Sequence, residues 1–217
     1  MLEHLHRRQS LKEDLSKALE NNELQLHYQP LVDLASGKLV GCEALLRWLH
    51  PTRGMVSPGE FIPLAEETGQ IVDIGHWVLH QACQDASAWP EDTFVAVNLS
   101  PVQFRGEGLY DDVLTAVTEA SLTSDRLQLE ITKSVLLQNT DQNIGLLSKL
   151  KGLGVAIALD DFGTGYSSLS YLRDFHFDKI KIDRSFVAEI GQGGHSEAII
   201  RAVLGLASSL ERNMTGP

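Results

Sequence analysis

Short apolar segments that each end in a polar side chain recur along this chain, and their residue types are typical of β-strands. They run over residues 39–43, 94–98, 127–130, 156–161 and 179–181. Successive side chains on a strand point to opposite faces, so each polar residue points away from its apolar neighbours. Longer amphipathic stretches separate the strands, which predicts βα units around a parallel sheet. We therefore expect an α/β fold with the polar side chains at one end of the sheet.

The polar residues at these strand ends suit the binding of a hard cation. In chain order they are Glu43, Asn98, Glu130, Asp160, Asp161 and Lys181. In a closed βα barrel the C-terminal ends of the strands form the mouth, so these side chains should converge there. Carboxylates packed together without a cation would repel one another. The sequence therefore predicts a site for Mg²⁺ or Mn²⁺, whose preferred ligands are oxygens.

The beginning of the chain predicts a helix and a reversed strand. Residues 11–21 carry Leu11 and Leu15 at helical spacing among charged residues, which predicts an amphipathic helix capped by Ser10. Strands are predicted at 24–32 and 38–45, and the short turn between them allows only antiparallel pairing. Further helices are predicted at 58–67, 72–89, 110–120, 142–153, 167–172 and 197–210. We divide the chain into a linker with its N-terminal helix at 1–22 and a main domain at 23–217.

Composition excludes several classes of protein. The formal net charge of the 217 residues is −11, which argues against binding to duplex nucleic acid through phosphate neutralisation. A small phosphodiester ligand remains compatible, because bound metal ions can reverse the local field. Residues 1–8 lack the apolar core of a signal peptide, and no apolar run approaches the ~20 residues that span a bilayer, so we expect a cytoplasmic protein. Its two cysteines predict no disulfide framework.

The block Glu-Ala-Leu-Leu-Arg-Trp at residues 43–48 resembles the signature of the EAL domain family, bacterial phosphodiesterases that linearise cyclic di-GMP. The resemblance extends, in order, through the blocks at 28–30, 61–66, 97–100, 130–132, 160–165 and 181–183. It implies a TIM-like (β/α) barrel with a reversed first strand. It also implies metal-dependent hydrolysis of cyclic di-GMP to linear pGpG in second-messenger signalling.

The same resemblance implies roles for individual residues. It assigns the first metal to Glu43, Asn98, Glu130 and Asp160, and the second to Asp161, with Asp160 bridging the pair. The implied substrate contacts are Gln29 near a base, Arg47 at a phosphate, and Asn98. Lys181 would contact the attacking water, and the implied catalytic set is Glu43, Asp160, Asp161 and Lys181.

Two departures from the family pattern predict reduced activity. Lys133 stands where the family usually has a glutamate that holds the loop after Asp161. The chain also stops soon after the helix predicted at 197–210, where the family continues with two strands, a helix and two motifs. We therefore expect a barrel incomplete at its C-terminus, a weakened second metal, and self-association as a homodimer that covers exposed edges.

Alternative functions remain open at this point. The domain could bind cyclic di-GMP without cutting it, or could serve only for contacts with other proteins. It could also be a fragment of a longer GGDEF/EAL signalling protein with an upstream sensor or GGDEF domain.

His76 and His80 stand four residues apart on a predicted helix, a spacing that can bind zinc. No glutamate completes the zinc-protease pattern beside them. We interpret them as part of a solvated helix face.

Overall fold

The computed structural model describes residues 2–137, 140–162, 175–189, 200–201, 205 and 213–215. The helices within these ranges are α1 (Leu2–Ala18), α2 (Pro58–Thr68), α3 (Ile71–Ser87), α4 (Leu109–Glu119), α5 (Lys133–Leu137), α6 (Thr140–Gly152) and α7 (Arg184–Ala188). The strands are β1 (Leu24–Val32), β2 (Leu39–His50), β3 (Gly54–Val56), β4 (Phe94–Leu99), β5 (Leu127–Thr132), β6 (Ala156–Phe162), β7 (Lys179–Ile182) and β8 (Asn213–Thr215).

The strands form one sheet in the order β1-β2-β4-β5-β6-β7-β8, with β3 attached to β2. The β1–β2 and β2–β3 pairs are antiparallel, and every pairing from β2 through β8 along this order is parallel. In the part of the chain that the structure describes, no pairing joins β8 back to β1. The predicted α/β fold, a TIM-like barrel with a reversed first strand and an open sheet, is confirmed.

The structure corrects the prediction at the N-terminus. Helix α1 begins at Leu2 and not after Ser10. Ser10 lies within the helix, where its hydroxyl donates to the Asp14 carboxylate at 3.4 Å, so it is not a cap. Leu11 and Leu15 are buried, as the amphipathic pattern predicts.

Several short elements were not predicted, among them two 3₁₀ helices at Pro101–Arg105 and Ser124–Arg126. Strand β3, helix α5 and helix α7 are each three to five residues long, too short to show a periodic pattern. Strand β8 pairs with β7 in parallel, with Asn213 opposite Lys179, although the sequence predicted no strand after residue 210. The helix predicted at 167–172 lies outside the described residues, and so does most of the one predicted at 197–210.

On the inner face of the sheet, the aromatic ring of Phe94 lies near the N-terminal ends of β4 and β7. Gly41 and Phe94 are paired in register on β2 and β4, and a Cβ atom on Gly41 would lie 2.7 Å from the Phe94 ring. Any larger residue at position 41 would therefore displace the ring from this position. The Lys179 ammonium lies 3.7 Å from the centroid of the same ring, a cation–π contact that covers it from β7.

The outer face of the sheet packs under the helices in a single apolar core. Strand β5 is buried on both faces over Leu127–Ile131, which is typical of a central strand in a parallel sheet. None of the helices in the described ranges is long and apolar enough to cross a membrane.

Candidate active site

Five strands place one polar side chain each at the same end of the sheet: Glu43 on β2, Asn98 on β4, Glu130 on β5, Asp160 on β6 and Lys181 on β7. Asn98 and Glu130 are direct neighbours in register, and Leu129 and Ile131, which flank Glu130, point into the outer core. Alternation along each strand therefore separates a polar inner face from an apolar outer face. The structure brings these five predicted residues together.

Lys181 lies at the centre of the cluster. Its Nζ atom lies 3.0 Å from Oε2 of Glu43 and 3.3 Å from Oδ2 of Asp160, and it also donates to Oε2 of Glu130. An ammonium group has three donors, so one is available for each carboxylate. The side chains are almost closed to solvent, with exposures of 13% for Lys181, 14% for Glu43, 0% for Glu130 and 19% for Asp160.

Two amides fix the orientation of two of these carboxylates. The Asn98 amide donates to Oε1 of Glu43 at 2.8 Å, and the Gln128 amide donates to Oε1 of Glu130 at 2.9 Å. In both glutamates the other oxygen, Oε2, contacts Lys181. Gln128 was not predicted as a site residue. The signal for it was its position two residues before Glu130, which puts both side chains on the same face of β5.

Within the cluster, burial and the attraction between opposite charges shift the pKa values of Glu130 and Lys181 in opposite directions. Burial raises the pKa of Glu130; the Lys181 charge lowers it and the Glu43 charge raises it further. Burial lowers the pKa of Lys181, but attraction to Glu130, Asp160 and Glu43 outweighs it and leaves that pKa raised. Three carboxylates and one ammonium carry a formal charge of −3 + 1 = −2 when all are ionised. A divalent cation would balance that charge.

The donor set also fits a hard cation. Ligand oxygens of Glu43, Glu130 and Asp160 lie within 4.8 Å of one another. Across the described ranges, no other group of three acidic, histidine or cysteine side chains meets this condition. Oxygen ligands are those that Mg²⁺ and Mn²⁺ prefer. The residues present therefore fit a metal site at the end of the sheet.

Asp161 lies beside the cluster and not among the three close carboxylates. Its backbone is left-handed, with a φ of 54°, and its N–H donates to Oδ1 of Asp160 at 2.9 Å. Burial raises the pKa of Asp161, and the charges of Asp160 and Asp183 raise it further. Asp183, whose side chain also hydrogen-bonds Asp161, was not predicted as a site residue. The role of Asp161 as a ligand of a second metal stays a prediction.

Of the three predicted substrate-binding residues, Asn98 lies on β4 beside Glu43, and Gln29 and Arg47 lie on the antiparallel strands β1 and β2. Gln29 is paired in register with Glu43 and is exposed. Arg47 lies four residues after Glu43, on the same face of β2, and its Nη1 donates to the carbonyl oxygen of Leu46 at 3.0 Å. Lys133 is the first residue of α5 and is half-buried. The loop that we expected position 133 to influence, at 163–174, lies outside the described residues.

Comparison with known proteins places almost the whole chain in one family. A family model described as the EAL domain matches residues 12–215. Over 206 residues the chain is 53% identical to the uncharacterized protein y4lL of Sinorhizobium fredii. Over 204 residues it is 45% identical to MucR of Pseudomonas aeruginosa, a bifunctional diguanylate cyclase/cyclic di-GMP phosphodiesterase.

These alignments cover most of this chain but little of the relatives. They include 95% and 92% of the chain, and 25% and 30% of the two relatives. The chain therefore spans between a quarter and a third of the length of these relatives.

A solved structure agrees with the sequence comparison. The PaMucR phosphodiesterase in complex with c-di-GMP superposes with a TM-score of 0.90 at 44% identity. The match covers 95% of this chain and 85% of the PaMucR chain.

Proposed function

Because this chain belongs to the EAL domain family, we propose that it hydrolyses cyclic di-GMP to linear pGpG in a metal-dependent reaction. The observation that carries the proposal is the buried cluster of Glu43, Glu130 and Asp160 around Lys181. Further support comes from the relative MucR, which is named a bifunctional diguanylate cyclase/cyclic di-GMP phosphodiesterase. A phosphodiester anion resists attack until its charge is neutralised, and this cluster can supply that chemistry.

Glu43, Asn98, Glu130 and Asp160 would hold Mg²⁺ or Mn²⁺, and Asp160 with Asp161 would hold a second ion. Bound there, the cations would neutralise phosphate oxygens and lower the pKa of an attacking water. The Asn98 amide, which orients Glu43, would also contact the substrate.

Lys181 would not act as a general base. A lysine side chain is protonated at neutral pH, and Nζ of Lys181 donates to three carboxylates here, so it would act as a donor. Its ammonium would orient the attacking water and offset the negative charge that develops on the phosphate. Arg47 would bind a phosphate oxygen pair through its guanidinium fork, and Gln29 would contact a guanine base.

The direct test is incubation of the purified chain with cyclic di-GMP and Mn²⁺, followed by chromatographic separation of the products. We expect pGpG to form, and to be absent when Glu43 is replaced with glutamine. Cyclic di-GMP that binds but stays intact under saturating metal would instead favour the binding-only alternative.

Metal binding should depend on the carboxylates. We expect Glu43→Gln and Asp160→Asn each to weaken Mn²⁺ binding at least ~tenfold in calorimetry. Each substitution removes one anionic ligand from a site built on three close carboxylates. Asp92→Asn is the matched control, since Asp92 is exposed and precedes β4 at the opposite end of that strand. Equal affinities in all three variants would place the metal elsewhere.

Lys133 should limit turnover if position 133 supports the loop that follows Asp161. We expect Lys133→Glu to raise kcat, with Lys149→Glu on α6 as a control for the change in net charge. A rate that is unchanged or lower in Lys133→Glu would show that the lysine does not impair the site.

We also propose where this domain begins, which domains accompany it and how it assembles. We place the boundary between linker helix and catalytic domain near residues 22–23, in a cytoplasmic signalling protein with an upstream sensor or GGDEF domain. The relatives are three to four times as long as the matched segment, which is compatible with further domains in a longer protein. We also expect a homodimer, so a monodisperse monomer in light scattering across micromolar concentrations would contradict the assembly.

A further inference from the structure

Glu66 near the end of α2 and Ser100 directly after β4 contact each other through their side chains. The Ser100 hydroxyl donates to Oε1 of Glu66 at 2.6 Å, and both residues are half-buried. They are the last residues of the sequence blocks at 61–66 and 97–100, and the proposed reaction gives neither of them a role. A short hydrogen bond from a hydroxyl to a carboxylate is stronger than one between neutral groups. The contact therefore ties α2 to the end of β4.

Ser100 is also held by two contacts on its other side. Its hydroxyl oxygen accepts from the backbone N–H of Val102 at 3.2 Å, and its own backbone N–H donates to Oε1 of Gln103 at 2.9 Å. These contacts belong to a capping box at the start of the 3₁₀ helix Pro101–Arg105. The buried Gln103 side chain lies against Gly75 of α3, where a Cβ atom would come within 2.3 Å of Nε2. Ser100 therefore connects the end of β4 to both α2 and α3.

The residue fixed in this way lies two positions after Asn98. The Asn98 amide donates to Oε1 of Glu43 at 2.8 Å, and Asn98 is a proposed ligand of the first metal. Asn98 is paired with Glu130 of β5, but the pairing of β4 with β2 ends one residue earlier, at Val97. The sheet thus holds the backbone of Asn98 on one side only. The direction of its side chain therefore depends on how the chain is held at Ser100.

We propose that Glu66 is a positioning residue that fixes Asn98 in the metal site through Ser100. The inference rests on the proposed function, since it takes Asn98 as a metal ligand. Glu66 does not belong to the three close carboxylates of the cluster and acts through the Ser100 hydroxyl. Without the Glu66 acceptor that hydroxyl can rotate, so the end of β4 loosens and Asn98 spends less time in the geometry that binds a metal. Outer partners of metal ligands typically contribute ~10–100-fold to metal affinity.

Titration of the full chain with Mn²⁺ in a calorimeter tests the proposal. We expect Glu66→Ala and Ser100→Ala each to weaken Mn²⁺ binding ~tenfold. Ser100→Thr keeps a hydroxyl that can cap the 3₁₀ helix, so it should retain most of the affinity. Glu67→Ala is the matched control, because it removes the same charge from the next position of α2, where the carboxylate pairs with Arg8 and Lys12 of α1. We expect this control to bind Mn²⁺ as the natural chain does.

A double-mutant cycle with Asn98→Ala distinguishes positioning from a general loss of stability. Glu66→Ala should weaken Mn²⁺ binding in the natural chain and add nothing further when Asn98 is already replaced. Additive losses, unchanged affinity in Glu66→Ala, an equal loss in Glu67→Ala, or a natural chain that binds no Mn²⁺ would overturn the proposal. If Glu66→Ala does not fold, Ser100→Ala against Ser100→Thr makes the same comparison.

Failure of the proposed reaction gives a different result. A natural chain that binds Mn²⁺ but leaves cyclic di-GMP intact would contradict hydrolysis, and the cycle of Mn²⁺ affinities would still decide the role of Glu66.

Discussion

Replacement of Lys181 with methionine should lower kcat for cyclic di-GMP hydrolysis at least ~hundredfold. Loss of one preorganised donor to the charge that develops in a transition state typically costs ~2.7–4 kcal/mol. Methionine keeps a similar length and volume without the charge. Because the interaction is made with the reacting groups, the loss should fall mainly on kcat and less on KM, and both follow from initial rates at saturating Mn²⁺.

A measurement of metal binding distinguishes a role of Lys181 in the reaction from a merely structural role. Lys181→Met removes the ammonium group that contacts Glu43, Glu130 and Asp160, so the variant should bind Mn²⁺ at least as tightly as the natural chain. Lys179→Met is the matched control, because Lys179 lies two residues earlier on β7 and contacts the Phe94 ring. We expect this control to retain most of the activity. Equal losses in the two variants, or near-normal turnover in Lys181→Met, would contradict the assignment.

The residues that form the cluster were predictable because strand alternation is a local rule. Glu130 between Leu129 and Ile131 can point only to the face opposite its apolar neighbours, and both of those are fully buried. The parallel sheet then brings the ends of neighbouring strands to one edge. Residue type and face therefore sufficed to predict that the carboxylates and Asn98 meet.

The contacts within the cluster were not predictable, because they depend on side chains from other strands. The structure places the Lys181 amine among three carboxylates, an arrangement that the sequence did not predict, and its contact with the attacking water stays a prediction. A lysine has several rotatable bonds, so the position of its charge is set by its surroundings and not by its sequence neighbours. Gln128 and Asp183 were missed for a related reason, since each acts through another acidic residue.

Trp48 shows that one sequence block serves both the site and the core. Arg47 and Trp48 are adjacent on β2 and therefore point to opposite faces of the sheet. Trp48 is fully buried, its Nε1 donates to Oε2 of Glu23 at 2.9 Å, and its ring meets the edge of Phe61 at a centroid distance of 5.6 Å. This one side chain thus joins β2 to α2 and to the residue before β1.

Trp48→Ala should therefore destabilise the fold by ~3–5 kcal/mol, the usual cost of a cavity of that size, with a further loss from the unpaired Glu23 acceptor. That is a large part of the ~5–15 kcal/mol that stabilises a typical domain. The measurement is urea denaturation followed by far-ultraviolet circular dichroism. Trp77→Ala on α3 is the control; Trp77 is only partly buried, so its loss should cost less. If the two substitutions lower the free energy of unfolding equally, Trp48 does not hold α2 against the sheet.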